Sequence, residues 1–309
     1  NNYKAEVHVL VRNSCKEILK GNKNIDKIIP VDVPWFTYKK EKTASCIEIL
    51  RLIRNLRKNR YDLIVELHAD VRNILIAFLT GGFRIGYGIK GFGFLLNKVA
   101  NYDKNLHIID KNLGVLSGLG ANLDDRELEI DLNDEDMELA NKSCDARTII
   151  ISPYAERVNK LWINERWAEL ADRLIEEKYK IIFAGSKNEI GLIGEIIDLM
   201  KYKEVAINLA GRTNLKQLSG LIKKSLLLIS SDAAPVHIAK ALKTRSISLY
   251  GPTNPGIWGY NDSNNISVYK KLDCSFCNLG DCYLEEKYKC MREISWNDVY
   301  TRCSSFFEG

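Results

Sequence analysis

Lys160, Glu189 and the run Ser231-Asp232-Ala233-Ala234-Pro235-Val236-His237 combine side chains suited to a phosphorylated ligand. A lysine ammonium pairs with phosphate as a point charge. A glutamate accepts hydrogen bonds from ribose hydroxyls. Asp232 has the chemistry of a helix N-cap, and Pro235 is tolerated in a first turn because no amide hydrogen is needed there. Ala233 and Ala234 are small enough to let another group approach the backbone. First-turn amides and the helix dipole together make an anion site suited to a diphosphate, and His237 can add a donor. Each piece has a plainer reading beside it: a surface lysine, a helix-start carboxylate, a capped helix with a packed histidine.

Two other groups stand out. Cys274, Cys277, Cys282 and Cys290 are spaced so that four thiols can hold a structural zinc in a closed tetrahedral site. An iron–sulfur cluster is the lesser alternative, and reduced or disulfide-bonded structural cysteines are the plainer one. His68, Asp70 and Arg72 follow a strand candidate, and Arg72 can meet an anionic acceptor such as a phosphorylated saccharide. His8 and His107 read as structural.

These residues need elements to hold them. Val7–Val11 and Leu63–Leu67 read as short strands, the first buried on both faces. Between them a helix is expected from about Thr43 to Lys58, with Ile47, Leu50, Ile53 and Leu56 as its apolar stripe. Arg51, Arg54, Arg57 and Lys58 cover the remainder, either as a solvated face or as a contact for phosphorylated lipid headgroups. The acidic, turn-rich stretch Asp124–Asp145 suggests the domain junction, which places domains at 1–125 and 126–309. Beyond it, strands are expected at 148–152, 180–184, 205–209, 226–229, 246–250 and 266–269, separated mostly by helices. The clearest helix starts near Asn164. Such alternation implies a parallel sheet covered on both faces, with ligands at the carboxyl ends of its strands. Gly185, after one such strand, is expected to permit a tight turn.

The 309 residues are 46% hydrophobic and 28% charged, which excludes disorder and suits two ordinary α/β domains. A net charge of +5 permits an anionic substrate or membrane surface without demanding nucleic acid, and no nucleic-acid-binding signature is present. The longest apolar run, around Ile74–Leu79, falls far short of the roughly 20 residues that span a bilayer. Eight cysteines in a chain this long are no disulfide scaffold, and a reducing, cytoplasmic compartment is expected. The chain opens Asn1-Asn2-Tyr3-Lys4, without Met or a signal-peptide pattern, directly before a strand. The expectation is a sequence that starts after its first strand. No Gly-x-Gly-x-x-Gly turn follows any strand, which counts against a nicotinamide-dependent dehydrogenase.

Taken in order, the pieces resemble glycosyltransferase family nine, the ADP-heptose:lipopolysaccharide heptosyltransferases. The matching residues are Pro153-Tyr154-Ala155, Lys160-Leu161-Trp162, Gly185-Ser186 with Glu189, and Ala210 to Leu215. Then come Ser231-Asp232, His237 to Leu242 and Tyr250-Gly251-Pro252-Thr253-Asn254-Pro255. Tyr61–His68, Arg72-Asn73 and Arg84–Tyr87 resemble the family's acceptor-domain segments. The resemblance implies a GT-B fold, two Rossmann-like domains facing a cleft, with donor sugar nucleotide in the second and glycan acceptor in the first. It implies transfer of heptose from ADP-heptose to a lipopolysaccharide core or related glycan, with inversion and without a catalytic metal. It also implies a cytoplasmic location with peripheral contact at the inner membrane face. Lys160 resembles the phosphate-binding lysine, Glu189 the ribose-binding glutamate, and Asp232 and His237 the sugar-diphosphate motif. His68, Asp70 and Arg72 are the acceptor candidates. Where the family carries a hydroxyl residue and glycine after the aspartate, this chain has Ala233 and Ala234. The family's general base sits on a Gly-Asp turn expected upstream of residue 1. Another nucleotide hexose as donor, or binding without catalysis, are the competing expectations.

Overall fold

A computed structural model describes residues 5–36 and 44–307. Asn1–Lys4 and Thr43 lie outside the described residues. The chain divides into two compact units, Asn1–Glu127 and Leu128–Gly309.

In the first unit, β1 (His8–Val11) pairs in parallel with β2 (Lys27–Pro30) as a sheet of their own. A second parallel sheet contains β3 (Leu63–Glu66), β4 (Phe83–Gly86) and β5 (Lys98–Val99). The expected burial of the first strand on both faces is not met, and β3 is open as well. Leu10, Leu63 and Val65 are each over a third exposed. The strands carrying them lie at sheet edges, and an apolar run is enclosed only where neighbours and helices cover it.

The helix expected in this unit runs Cys46–Lys58, closed at its start by a reciprocal capping box between Ser45 and Glu48. Its expected apolar stripe needs correction. Steps of three residues drift about 60° per step around a helix, so Ile47 and Leu56 face opposite ways. Ile53 and Leu56 are buried, with Ile49 and Leu52 packed beside them, while Ile47 and Leu50 stand out from the surface.

The second unit holds the larger core. Its strands are β6 (Thr148–Ser152), β7 (Lys180–Phe183), β8 (Ile207–Asn208), β9 (Leu227–Ser231), β10 (Ser246–Leu249) and β11 (Asn265–Val268). They form one parallel sheet in the order β11-β10-β9-β6-β7-β8. Every residue of β6, β9 and β10 is buried, the serines and Thr148 included, as in a sheet covered on both faces. The helix Asn164–Glu176 lays Trp167, Leu170, Ala171 and Leu174 on that sheet. Within the acidic stretch expected to be turn-rich, residues Asp134–Ser143 instead form a helix, started by an Asn133–Asp136 capping box. Strand order reverses between β6 and β9, and the crevice at such a switch point, beyond the carboxyl ends, is where ligands sit in sheets of this kind.

Candidate active site

Three loops leave the carboxyl ends of β6, β9 and β10, and each delivers one polar group to the same place. The loop after β6 tightens into a single turn at Val158–Lys160. It brings the Lys160 ammonium 2.6 Å from Asp232 Oδ2, just past β9. The Thr253 hydroxyl, past β10, donates to that same oxygen. Ser231 fastens two of the loops by donating to the Pro153 carbonyl at 2.7 Å. Asp232 is buried and the Lys160 side chain is 17% exposed. The carboxylate therefore holds a partly accessible cation in one position.

This geometry corrects the reading of Asp232 as a helix cap. The helix runs Ala234–Ala241, Ala233 occupies the cap position, and no side chain caps it. A lysine and a hydroxyl are stronger partners for a buried carboxylate than a lone amide, and both lie within reach. Pro235 does fall in the first turn. Its neighbour Ala234 is exposed, and first-turn amides lie beyond the helix's own hydrogen-bond ladder. The site so far is an ammonium and a bare helix start, flanked by small residues.

His237, one turn into that helix, has its Nδ1 2.9 Å from the Tyr260 hydroxyl, the two rings meeting edge to face. Burial pushes the Tyr260 phenol up to about 12, so it keeps its proton at neutral pH. Tyr250 is pushed up further, by burial first and then by the charge of Asp232.

Glu189 accepts from the Ser186 amide at 2.8 Å and the Ser186 hydroxyl at 2.7 Å, the capping box of the turn that leads into the helix Ile190–Leu199. Gly185 has an ordinary backbone, so the tight-turn explanation fails. A Cβ there would come 2.6 Å from Glu189 Oε2 and 2.7 Å from Ile193 Cδ1, so both side-chain ends would have to shift to admit one.

The cysteine segment packs against this site. Phe276 and Asn278 donate their amides to the Gly251 and Pro252 carbonyls, at 3.0 and 2.7 Å. Arg157 and Asn159 both donate to the Leu279 carbonyl. Phe276, Asn278 and Tyr288 have left-handed backbones, an uncommon concentration of strain in one loop. Burial, and then the neighbouring Cys274, push the Cys290 thiol up to about 11, with Cys277 and Cys282 also acting on it. The four thiols thus share a neighbourhood, and all are free. Among the described residues, however, no group of three or more His, Cys, Asp or Glu side chains is arranged to hold a metal ion. The zinc expected from the spacing alone has no ligand set here, because spacing does not ensure that thiols converge on one point.

In the first unit, Asp70 caps the helix Val71–Thr80 and grips Arg72 with both carboxylate oxygens, at 2.8 and 2.6 Å. That fork holds the Asp70 carboxyl at about 2. The Arg72 guanidinium also lies over the Trp35 ring. Buried Glu66, at the end of β3, accepts from the His68 and Ala69 amides and from Asn73. It fixes a turn in which Ala69 has φ 54°. The expected acceptor residues are thus brought to one loop, with Asp70 and Arg72 in direct contact and His68 exposed. His8 bonds Tyr61 and Glu6, and His107 caps a helix, both structural roles.

Sequence reasoning quoted Thr253 and Glu66 within matching segments without giving either a role, and missed Tyr260, Arg157 and Asn159. For Thr253 a signal existed, since Gly251-Pro252-Thr253 follows a strand end. A depression lined by Asn164, Glu165, Glu195 and Asp198 beside the helix Asn164–Glu176 includes none of the expected donor residues.

Residues 49–288 match glycosyltransferase family 9 (heptosyltransferase). The chain is 29% identical over 242 residues to the lipopolysaccharide core heptosyltransferase OpsX of Haemophilus influenzae, covering 75% of this chain and 69% of that one. It superposes on a family 9 glycosyltransferase of Veillonella parvula with TM-score 0.80 and 21% identity, covering 98% and 89% of the two chains. The ADP-heptose lps heptosyltransferase II of E. coli gives TM-score 0.78 at 21% identity, covering 99% and 90%. The chain belongs to glycosyltransferase family 9, the heptosyltransferase family, and is a glycosyltransferase of the GT-B fold.

Proposed function

We propose that this chain transfers heptose from ADP-heptose, with inversion and without a catalytic metal, to a lipopolysaccharide core or related glycan. The observation that carries the reading is the Lys160–Asp232–Thr253 set beside the bare start of the helix Ala234–Ala241. Breaking the bond at the anomeric carbon leaves negative charge on the departing diphosphate. Groups aimed at that charge favour the transition state over the ground state. Lys160 and the first-turn amides supply positive charge, and Asp232 keeps Lys160 in place. Glu189 binds ribose alongside Ser186, since a carboxylate has about four acceptor sites and the capping box uses two. His237, held by Tyr260, faces the sugar end, and Asp70 with Arg72 receives the acceptor. The names of OpsX and heptosyltransferase II support the acceptor and donor respectively. The enzyme works at the cytoplasmic membrane face.

Calorimetry with ADP, UDP, GDP and NAD tests the nucleotide, followed by transfer assays with ADP-heptose. ADP is expected to bind tightest. Preference for NAD, or binding of none, overturns the reading, and ADP binding without transfer on any glycan would make the chain a binder. Ala233 and Ala234 favour one second reading, a different nucleotide hexose, because no hydroxyl stands there to meet the sugar. Faster transfer from such a donor would decide for it.

A further inference from the structure

The outer face of the helix Cys46–Lys58 has two halves. Ile47 and Leu50, 61% and 64% exposed, occupy its first turns. Arg51, Arg54, Arg57 and Lys58 occupy the same face further along, all exposed. Between Glu48 and Asp62 the sequence contains no acid, and Glu48 is engaged in the capping box. Among the described residues none of these four cations forms an ion pair. The opposite face, Ile53 and Leu56, is fully used in packing. Nothing in the fold of the unit therefore requires the outer face to be apolar at one end and cationic at the other.

The charge of the whole molecule is divided in the same sense. Residues 1–127 hold 21 Lys and Arg against 14 Asp and Glu, and residues 128–309 hold 24 against 26. The basic excess belongs wholly to the first unit. Two adjoining aliphatic side chains beside a cluster of unpaired arginines fit an interface that is anionic at the surface and apolar beneath it. A water-soluble polyanion would satisfy the arginines but not the leucine and isoleucine.

We propose that this helix face docks on an anionic phospholipid bilayer, with Ile47 and Leu50 entering the acyl boundary and the arginines lying among phosphate headgroups. The inference rests on the proposed function in one respect only, that a lipid-borne acceptor gives the docking its use. Each basic residue near such a surface contributes a factor of about five to partitioning. Reversing two charges should therefore lower binding by more than about tenfold.

The test is vesicle co-sedimentation of the full chain with pure phosphatidylcholine and with phosphatidylcholine containing phosphatidylglycerol. The expected result is binding to the anionic vesicles alone, weakened by salt. The double variant Arg51→Glu/Arg54→Glu should lose it, and Ile47→Ser/Leu50→Ser should weaken it while some low-salt binding survives. All four positions are exposed, and circular dichroism should show both variants folded. Transfer to a delipidated soluble acceptor should be unchanged in both, so failure of the lipid arm leaves the proposed transferase activity standing. Equal binding to neutral vesicles, or binding indifferent to both double variants, overturns the proposal. So does a dimer in sedimentation velocity that the same substitutions dissolve, since the face would then belong to a second copy of the chain.

Discussion

Lys160 and Asp232 are 72 residues apart, and their contact decides how both are read. The dipeptide context Ser231-Asp232-Ala233-Ala234 is compatible with a capping aspartate or with one turned toward a distant cation. Only the meeting of the β6 and β9 loops selects the second. Lys160→Ala should cost about 1.5–3 kcal/mol of stability, because Asp232 stays buried with Thr253 as its remaining partner. It should also lower transfer by about a hundredfold, mostly in kcat. Lys160→Arg should be intermediate, keeping charge but not its compact shape. Steady-state kinetics at saturating and limiting donor, with thermal melts, would check both; constants within about twofold of the parent would make the lysine decoration. Asp70 offers a separate test. Its carboxyl is lowered to about 2 by the Arg72 fork, so the stability it contributes is present above about pH 4 and fades as pH falls through 2. The gap in urea stability between the parent and Arg72→Ala should thus close as pH drops from 5 to 2. For so exposed a pair it should stay small throughout. A gap that widens with acid would be the wrong sign.

At the scale of elements, legibility followed runs of consecutive apolar residues. The second unit's strands could be read because β6, β7 and β9 each carry three consecutive apolar residues, Ile149–Ile151, Ile181–Phe183 and Leu227–Ile229. The expected bounds differ from the observed ones by one or two residues in most cases. β2, β4 and β5 could not be read. Lys-Ile-Ile-Pro, Phe-Arg-Ile-Gly and Lys-Val are short and mixed, and their pairing is a property of neighbours rather than of sequence. The cysteine loop was visible as spacing, but not its docking on Gly251 and Pro252. That docking explains Gly251. A Cβ there would lie 2.6 Å from Met291 Sδ and 2.9 Å from Cys290 Sγ, both buried. Gly251→Ala should therefore cost about 1–3 kcal/mol by overpacking. It should also free the Cys290 thiol, which is buried and pushed up to about 11 and is therefore expected to react slowly in the native fold. Thiol labelling resolved by mass spectrometry would show Cys290 rising toward exposed Cys46 and Cys277; an unchanged Cys290 rate would refute the packing argument.

At the scale of the molecule, the two units differ in how much core each owns. Among the described residues, the second has a large cluster around Trp167, Ile149 and Phe183, while those of the first, around Ile85 and around Ile53, are small. Amide exchange should be faster throughout residues 44–127 than in β6, β9 and β10. ADP at a hundred times its dissociation constant should protect the second unit by about 2.7 kcal/mol and leave the first nearly unchanged. Uniform protection of both would contradict a donor site held by one unit. The split sheet of the first unit has a further consequence, for handling rather than catalysis. Among the described residues, five strands arranged as one sheet would leave two open edges, but as two sheets they leave four. Several of these edges carry exposed aliphatic side chains, including Leu10, Leu63 and Val99. Unpaired backbone beside exposed aliphatics is a template for any extended segment of another chain. Concentrated solutions of this polypeptide should therefore turn sticky, light scattering should climb with concentration, and a short β-rich peptide that adds to those edges should keep the solution clear.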